Sequence, residues 1–93
     1  MEKVAIVTGC SSGIGKATSL KLAREGFYTF ATMRDISKGE HLRELANNEK
    51  LPLEIIKLDV SKSEDIDAVF EKIKSTKKRL DVLVNNAGFM IMG

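Results

Sequence analysis

The 93-residue sequence predicts an α/β fold in which strands and helices alternate around a parallel sheet. Three observations predict it. Apolar or β-branched runs alternate with stretches of helical periodicity, the connections between them are short, and a glycine-rich turn joins the first run to the first helical stretch. Strand–helix–strand units of this kind imply right-handed crossovers.

Val4-Ala5-Ile6-Val7 is apolar at every position, as a strand buried on both faces of a parallel sheet must be. From Ile14 to Glu25 the pattern is helical, with Ile14, Ala17, Leu20, Leu22 and Ala23 supplying apolar surface, and Gly26 can adopt the positive φ that ends a helix. Residues 27–32, aromatic and β-branched, form the second strand. Ser37 and Glu40 have capping-box spacing ahead of Leu42, Leu45 and Ala46, so a second helix runs to about Asn47-Asn48. After Pro52, residues 53–60 form the third strand. Ser61 and Glu64 repeat the capping-box spacing before Ile66, Val69, Phe70 and Ile73 at i, i+3, i+4 and i+7, placing a third helix from Ser61 to about Thr76. Residues 80–84 form the fourth strand.

Thr8-Gly9-Cys10-Ser11-Ser12-Gly13-Ile14-Gly15 lies between the first strand and the first helix. A glycine turn there leaves backbone N–H groups unpaired at the positive end of the helix dipole, where a pyrophosphate can be held. Gly9 permits the tight exit from the strand, Gly13 removes a Cβ from the path of a phosphate, and Gly15 lets the helix pack closely on the sheet. Ser11 and Ser12 add hydroxyl donors, and Ser12 can also cap the helix. The spacing G-x-x-x-G-x-G differs from G-x-G-x-x-G, and by itself it also fits a turn that merely joins two elements.

Taken with two later segments, the loop resembles a known family. Residues 8–15 are similar to the TGxxxGxG motif of the short-chain dehydrogenase/reductase family, Asp59-Val60 to its acidic residue after the third strand, and Asn85-Asn86-Ala87-Gly88 to its NNAG motif. They fall in the family's order and spacing across essentially all of the chain. The loop together with Ala31-Thr32-Met33-Arg34-Asp35 further resembles NADP(H)-using members such as the 17β-hydroxysteroid and retinol dehydrogenases. The resemblance implies that residues 1–93 form one NAD(P)(H)-binding Rossmann-type unit, half of a doubly wound fold, with four strands in the order 3-2-1-4 and three helices. It implies hydride transfer between NADP(H) and a small carbonyl or alcohol substrate. Carried onto this sequence, Ser12, Gly13, Ile14 and Gly15 line the pyrophosphate. Asp59 bonds the adenine amino group, Val60 flanks the adenine, and Asn86, Ala87 and Gly88 run beside the adenosine ribose toward the nicotinamide. Asn85 ties neighbouring strands. Without the family, Asp59 also reads as a strand-end carboxylate leading into the Ser61 cap.

NADP(H) is the expected cofactor, with NAD(H) the alternative. A carboxylate at the end of the second strand accepts from a ribose 2′-OH and repels a 2′-phosphate, whereas an Arg welcomes the phosphate. Met33 offers no acceptor there, and Arg34 follows with a planar fork of donors suited to a phosphate dianion, to which the Ser11 hydroxyl adds a bond. A surface pair between Arg34 and Asp35 is the competing use of that guanidinium.

The family's catalytic Tyr-x-x-x-Lys and its substrate-orienting Ser have no counterpart here. Tyr28 is the one tyrosine, residue 32 is Thr, and Tyr28 reads as a packing residue; no residue of this chain is assigned as catalytic. The family's catalytic Asn lies on a later helix, so neither Asn85 nor Asn86 takes that part. With order 3-2-1-4, the first two helices cover one face of the sheet and only the third covers the other, leaving half a face of apolar strand bare. With the apolar end Phe89-Met-Ile-Met-Gly93, this reads as the amino-terminal part of a longer enzyme or as a chain that assembles with itself; a partner-binding tail is the alternative. A catalytically inert nucleotide-binding module stands as the second functional class, and a flavodoxin-like phosphate binder as a third.

Composition narrows the partners. Fifteen basic and 13 acidic side chains are scattered along the chain for a net charge of +2, so no one-signed field points to nucleic acid or to an anionic membrane. The opening residues are too weakly apolar for a signal sequence or a span, and Cys10 is the one cysteine, so a cytoplasmic, reducing compartment is expected. Cys10 reads as a small loop-filling residue and His41 as a solvated helix residue with no metal-ligand constellation. Lys74 to Arg79 places cations at a helix C-terminus, where they complement the dipole.

Overall fold

A computed structural model describes residues 2–11 and 13–86 of the chain. Its elements run β1 (Val4–Val7), α1 (Gly13–Arg24), β2 (Tyr28–Met33), a 3-10 turn (Ile36–Gly39), α2 (Glu40–Glu49), β3 (Leu53–Lys57), α3 (Ser63–Thr76) and β4 (Val82–Val84). The four strands form one parallel sheet in the order β3-β2-β1-β4, as expected. The register pairs Val4 with Tyr28 and Val7 with Ala31, Ala5 with Val82, and Thr29 with Leu53.

Strand alternation divides the core in two. Val4, Ile6 and Phe30 face α3 and pack with Val69 and Ile73. Val7, Ala31 and Met33 point the other way and pack with Leu20 of α1 and Leu42 of α2. Every β1 residue is buried, which is why that strand is apolar throughout. Val82, Leu83 and Val84 of β4 are only half-buried, with Leu83 packing on the α3 side and Val84 on the other. No helix among the described residues is long and apolar enough to cross a membrane.

Helix ends show where local chemistry departs from the sequence expectation. Gly26 adopts φ +95°, and the bonds Phe27 N–H to Leu22 O and Gly26 N–H to Ala23 O close α1 in a Schellman arrangement. Neither expected capping box forms. Asp35, not Ser37, caps the 3-10 turn, its carboxylate accepting from the Ser37 N–H at 3.0 Å and the Ser37 hydroxyl at 2.6 Å. α2 then begins at Glu40 behind Gly39 with no side-chain cap. Likewise Asp59 takes the Ser61 N–H at 3.0 Å and hydroxyl at 2.6 Å, and α3 begins only at Ser63. In both places a carboxylate two residues ahead of the serine outcompetes the more distant Glu, because a two-residue Asx turn needs less chain ordering than a reciprocal box. β3 is shorter than expected for a related reason. The Asp65 carboxylate accepts the Asp59 N–H at 3.0 Å and turns the chain off the sheet after Leu58.

Candidate functional site

The carboxyl ends of β1, β2 and β3 open onto a cleft of about 460 Å³ beside the strand at which the sheet order reverses. Ligands of open parallel sheets bind at that point, because crossover helices diverge there and leave loop amides unpaired. Gly9 and Ser11 come to it from the β1 loop, Arg34 and Lys38 from beyond β2, and Asp59 and Val60 from beyond β3.

The glycines of the loop do three different things. Gly9 and Gly13 hold φ of +66° and +62°, a conformation costing an ordinary residue roughly 1–2 kcal/mol. A Cβ on Gly13 would meet nothing within 4 Å, so the backbone beside it is open to an approaching ligand. A Cβ on Gly15 would lie 2.2 Å from the Gly9 carbonyl oxygen and 2.7 Å from the Asn86 amide nitrogen. Gly15 therefore makes room for the loop itself and for the segment after β4, rather than for the sheet. Ile14, between them, is 74% exposed at the start of α1, an apolar side chain left without protein cover at the mouth of the loop.

Thr8 fastens that arrangement. Fully buried, its hydroxyl donates to the Asn85 carboxamide oxygen at 3.1 Å and accepts from the Asn86 N–H at 2.8 Å. The Asn86 carboxamide donates to the Gly9 carbonyl at 3.3 Å. The Thr8 N–H also bonds the Val84 carbonyl at 3.0 Å. The end of β4 is thus tied to the glycine loop by side chains from both, and Asn85 joins neighbouring strands as the family resemblance implies. Ser12, Ala87 and Gly88, also expected at the site, lie outside the described residues.

Charge in the cleft is balanced. Asp59 is held below the usual carboxylate range, first by the Ser61 hydroxyl and N–H and then by Lys62 and Arg34, so it stays ionised at neutral pH. Asp35 is likewise lowered by Ser37 and then Lys38. The competing pair between Arg34 and Asp35 does not form: the Asp35 carboxylate is engaged by Ser37, and among the described residues no ion pair involves Arg34. The guanidinium is left to face the cleft. Lys38 was hidden from sequence reasoning inside what looked like a capping box; its spacing four residues beyond Arg34 was the available signal.

Residues outside the cleft have structural partners. Tyr28 sits at the opposite end of the strands from Gly9, paired with Val4. Its hydroxyl donates to Glu54 at 3.0 Å, its ring packs on Phe30, and Lys77 lies 3.5 Å from the ring centroid. Burial and the Glu54 carboxylate push its phenol above the ordinary range, so a packing residue is what the surroundings make of it. Lys77 also pairs with Glu2, and Arg79 with Asp81, whose carboxylate accepts the Val4 N–H at 2.8 Å, so these two residues serve the base of the sheet, while Lys74 lies in the last turn of α3. His41 is exposed, beside the Lys16 ammonium. No group of three or more metal-ligating side chains occurs among the described residues.

Cys10 is fully buried and its thiol donates to the Val7 carbonyl at 3.1 Å. Burial pushes the thiol up to about 11. With the thiolate as the reactive species, native Cys10 is expected to alkylate at pH 7.5 roughly two orders of magnitude more slowly than in guanidinium-unfolded chain. Equal rates of iodoacetamide labelling in the two states would contradict the buried, protonated thiol.

A glycine turn opening a helix at the end of β1, with a closing segment after β4 and parallel order 3-2-1-4, defines a Rossmann-type α/β unit. The chain belongs to the short-chain dehydrogenase family, whose model, described as short chain dehydrogenase, matches residues 3–93. It is 44% identical over 89 residues to farnesol dehydrogenase of Aedes aegypti, covering 95% of this chain and 36% of that protein. To human 17-beta-hydroxysteroid dehydrogenase type 1 it is 40% identical over 96 residues, covering 97% and 29%. Among solved structures, a metagenomic short-chain oxidoreductase in complex with NADP superposes with a TM-score of 0.86 at 37% identity, over 94% of this chain and 39% of that one. The chain thus spans about a third of the length of the relatives it matches.

Proposed function

We propose that this chain is the dinucleotide-holding part of a short-chain oxidoreductase and that it prefers NADP(H) to NAD(H). The observation that carries the reading is the contrast between two glycines. Gly15 is filled by the protein's own Gly9 and Asn86, whereas the space beside Gly13 is open at the N-terminus of α1. Closure on one side and vacancy on the other is what a phosphate cradle requires, and loop amides with the helix dipole supply the counter-charge.

In this reading the backbone of residues 9–15 holds the pyrophosphate, with the Ser11 and Ser12 hydroxyls adding donors. The Asp59 carboxylate accepts from the adenine amino group, Val60 covers the adenine, Ile14 lies with the loop at the pyrophosphate, and Asn86, Ala87 and Gly88 run beside the adenosine ribose toward the nicotinamide. Asp59 Oδ1 is spent on Ser61, which fixes the carboxylate while leaving its second oxygen as acceptor. Arg34 takes the 2′-phosphate of NADP(H), and Met33 offers a 2′-OH no acceptor. A nicotinamide held there would supply hydride chemistry, reduction of a carbonyl carbon or oxidation of an alcohol carbon. Tyr28, the one tyrosine, is committed to Glu54 and Phe30, so proton transfer to substrate is assigned to residues of the family's catalytic segment rather than to this chain. The compartment proposed is the cytoplasm.

Titration of the folded chain with NADPH and NADH, followed by calorimetry, tests this. The expected result is saturable binding of both with NADPH tighter by about tenfold, the value of one charge-assisted contact. Absence of heat with either dinucleotide from a folded sample would sink the reading.

A further inference from the structure

We propose that Asp65, in the first turn of α3, is the residue that positions Asp59 for the adenine amino group; the inference rests on the dinucleotide reading above. Asp59 follows Leu58, whose N–H still bonds the Met33 carbonyl of β2 at 2.9 Å, so it stands where the chain leaves the sheet. Within the turn that follows, all but one of its polar atoms are engaged. Its N–H donates to Asp65 Oδ2 at 3.0 Å, its carbonyl accepts from the Lys62 N–H at 2.9 Å, and its Oδ1 accepts from the Ser61 N–H and hydroxyl. Oδ2 accepts no hydrogen bond among the described residues, and Asp59 lines the cleft. Lys62 and Arg34 favour the ionised form of Asp59, which offsets the closeness of a second carboxylate.

The bond from Asp65 departs from ordinary helix capping. In a capping box the third helical residue reaches back to the N–H of the cap residue. Here the cap position is Lys62, which makes no side-chain cap bond and whose N–H is already taken by the Asp59 carbonyl. Asp65, third in α3, therefore reaches past it to the Asp59 N–H, six positions back. α3 itself is seated in the core through Val69 and Ile73. The half-buried bond thus ties Asp59 to a fixed helix, beyond the last support that the sheet gives it. Holding the backbone there lowers the ordering cost when the free oxygen meets a donor. The pyrophosphate contacts come from the loop after β1, which Asp65 does not touch, so the two parts of the site are separately supported.

NADPH and its hypoxanthine analogue, in which a carbonyl oxygen replaces the adenine amino group, isolate this contact. The parent chain should bind NADPH about tenfold more tightly than the analogue, the value of one charge-assisted bond. In Asp65→Ala that preference should fall to within about twofold of unity. Asp65→Asn keeps an acceptor oxygen at the same reach and should keep the preference within about twofold of the parent's. Asp65→Ser, whose oxygen is one bond short, should behave as Ala and serves in its place if Ala does not fold. A partly unfolded population weakens both ligands by the same factor, so a merely structural loss leaves their ratio unmoved. Parent-like preference in Ala or Ser would overturn the proposal, and so would Asn matching Ala, since the lost charge rather than the bond would then be responsible. A parent chain indifferent to the amino group would instead strike the adenine assignment of Asp59 before any variant is made, so the two failures are separable.

Discussion

Gly15→Ala is expected to destabilise the chain by about 3 kcal/mol or more, the upper end of the range for overpacking. The added methyl would lie 2.2 Å from the Gly9 carbonyl oxygen, 2.7 Å from the Asn86 Nδ2 and 2.8 Å from the Gly9 carbonyl carbon. Two of those three atoms are backbone, so no rotamer change relieves the contact. The Gly9 carbonyl is also the acceptor for the Asn86 carboxamide, and moving it pulls on the Thr8 hydroxyl that links Asn85 and Asn86. A domain of this size has roughly 5–14 kcal/mol in hand, so the loss is a large share of it. Thermal unfolding should shift down by about 12–24 °C, and a melting temperature equal to that of the parent chain would refute the tight loop-to-helix contact.

Gly13→Ala provides the internal control. Its Cβ would meet nothing, so the stability loss is limited to the positive φ, about 1–2 kcal/mol. The methyl nevertheless occupies the open side of the loop. A chain that melts about 4–16 °C early, less than Gly15→Ala, but no longer binds dinucleotide is the expected outcome, and it separates the glycine that serves the fold from the glycine that serves the ligand.

How far these positions could be read without coordinates depends on the range of the interaction. The order of elements was legible because it rests on period: Val4 to Val7 is apolar at every residue, and Ile66, Val69, Phe70 and Ile73 recur at helical spacing. Strand order followed from crossover handedness and family resemblance. Helix starts were less legible, because Ser37 and Ser61 each had two partners of suitable chemistry nearby. Only the folded geometry shows that Asp35 and Asp59 take them ahead of Glu40 and Glu64. The same competition concealed Lys38, which a capping box would have assigned to a helix's first turn. Contacts between Gly15 and Asn86 were not legible, since they join residues 71 positions apart and depend on the close approach of loop and β4 end. The sequence points to close packing of Gly15 on the sheet; that its neighbours are instead the Gly9 carbonyl and Asn86 is visible only in three dimensions.

Arg34→Ala is expected to weaken NADPH binding by about 10- to 100-fold and to leave NADH binding within about threefold. A charge-assisted hydrogen bond contributes about 1.5–3 kcal/mol, and each 1.4 kcal/mol is a factor of ten. The guanidinium faces the cleft without an ion-pair partner among the described residues, so its removal orphans no carboxylate and should scarcely change stability. Arg34→Lys keeps the charge but loses the planar fork, and should recover only part of the lost affinity. Reversing preference through Met33→Asp would be a poorer test. Met33 is 3% exposed, packs in the core shared by α1 and α2, and forms the seat of Gly39, so a carboxylate there would be buried and would disturb the turn carrying Lys38. Arg34 can be altered from the solvent side, which makes it the cleaner probe of cofactor choice. If NADPH and NADH lose affinity equally in Arg34→Ala, the guanidinium contacts a part common to both dinucleotides, and the 2′-phosphate assignment fails.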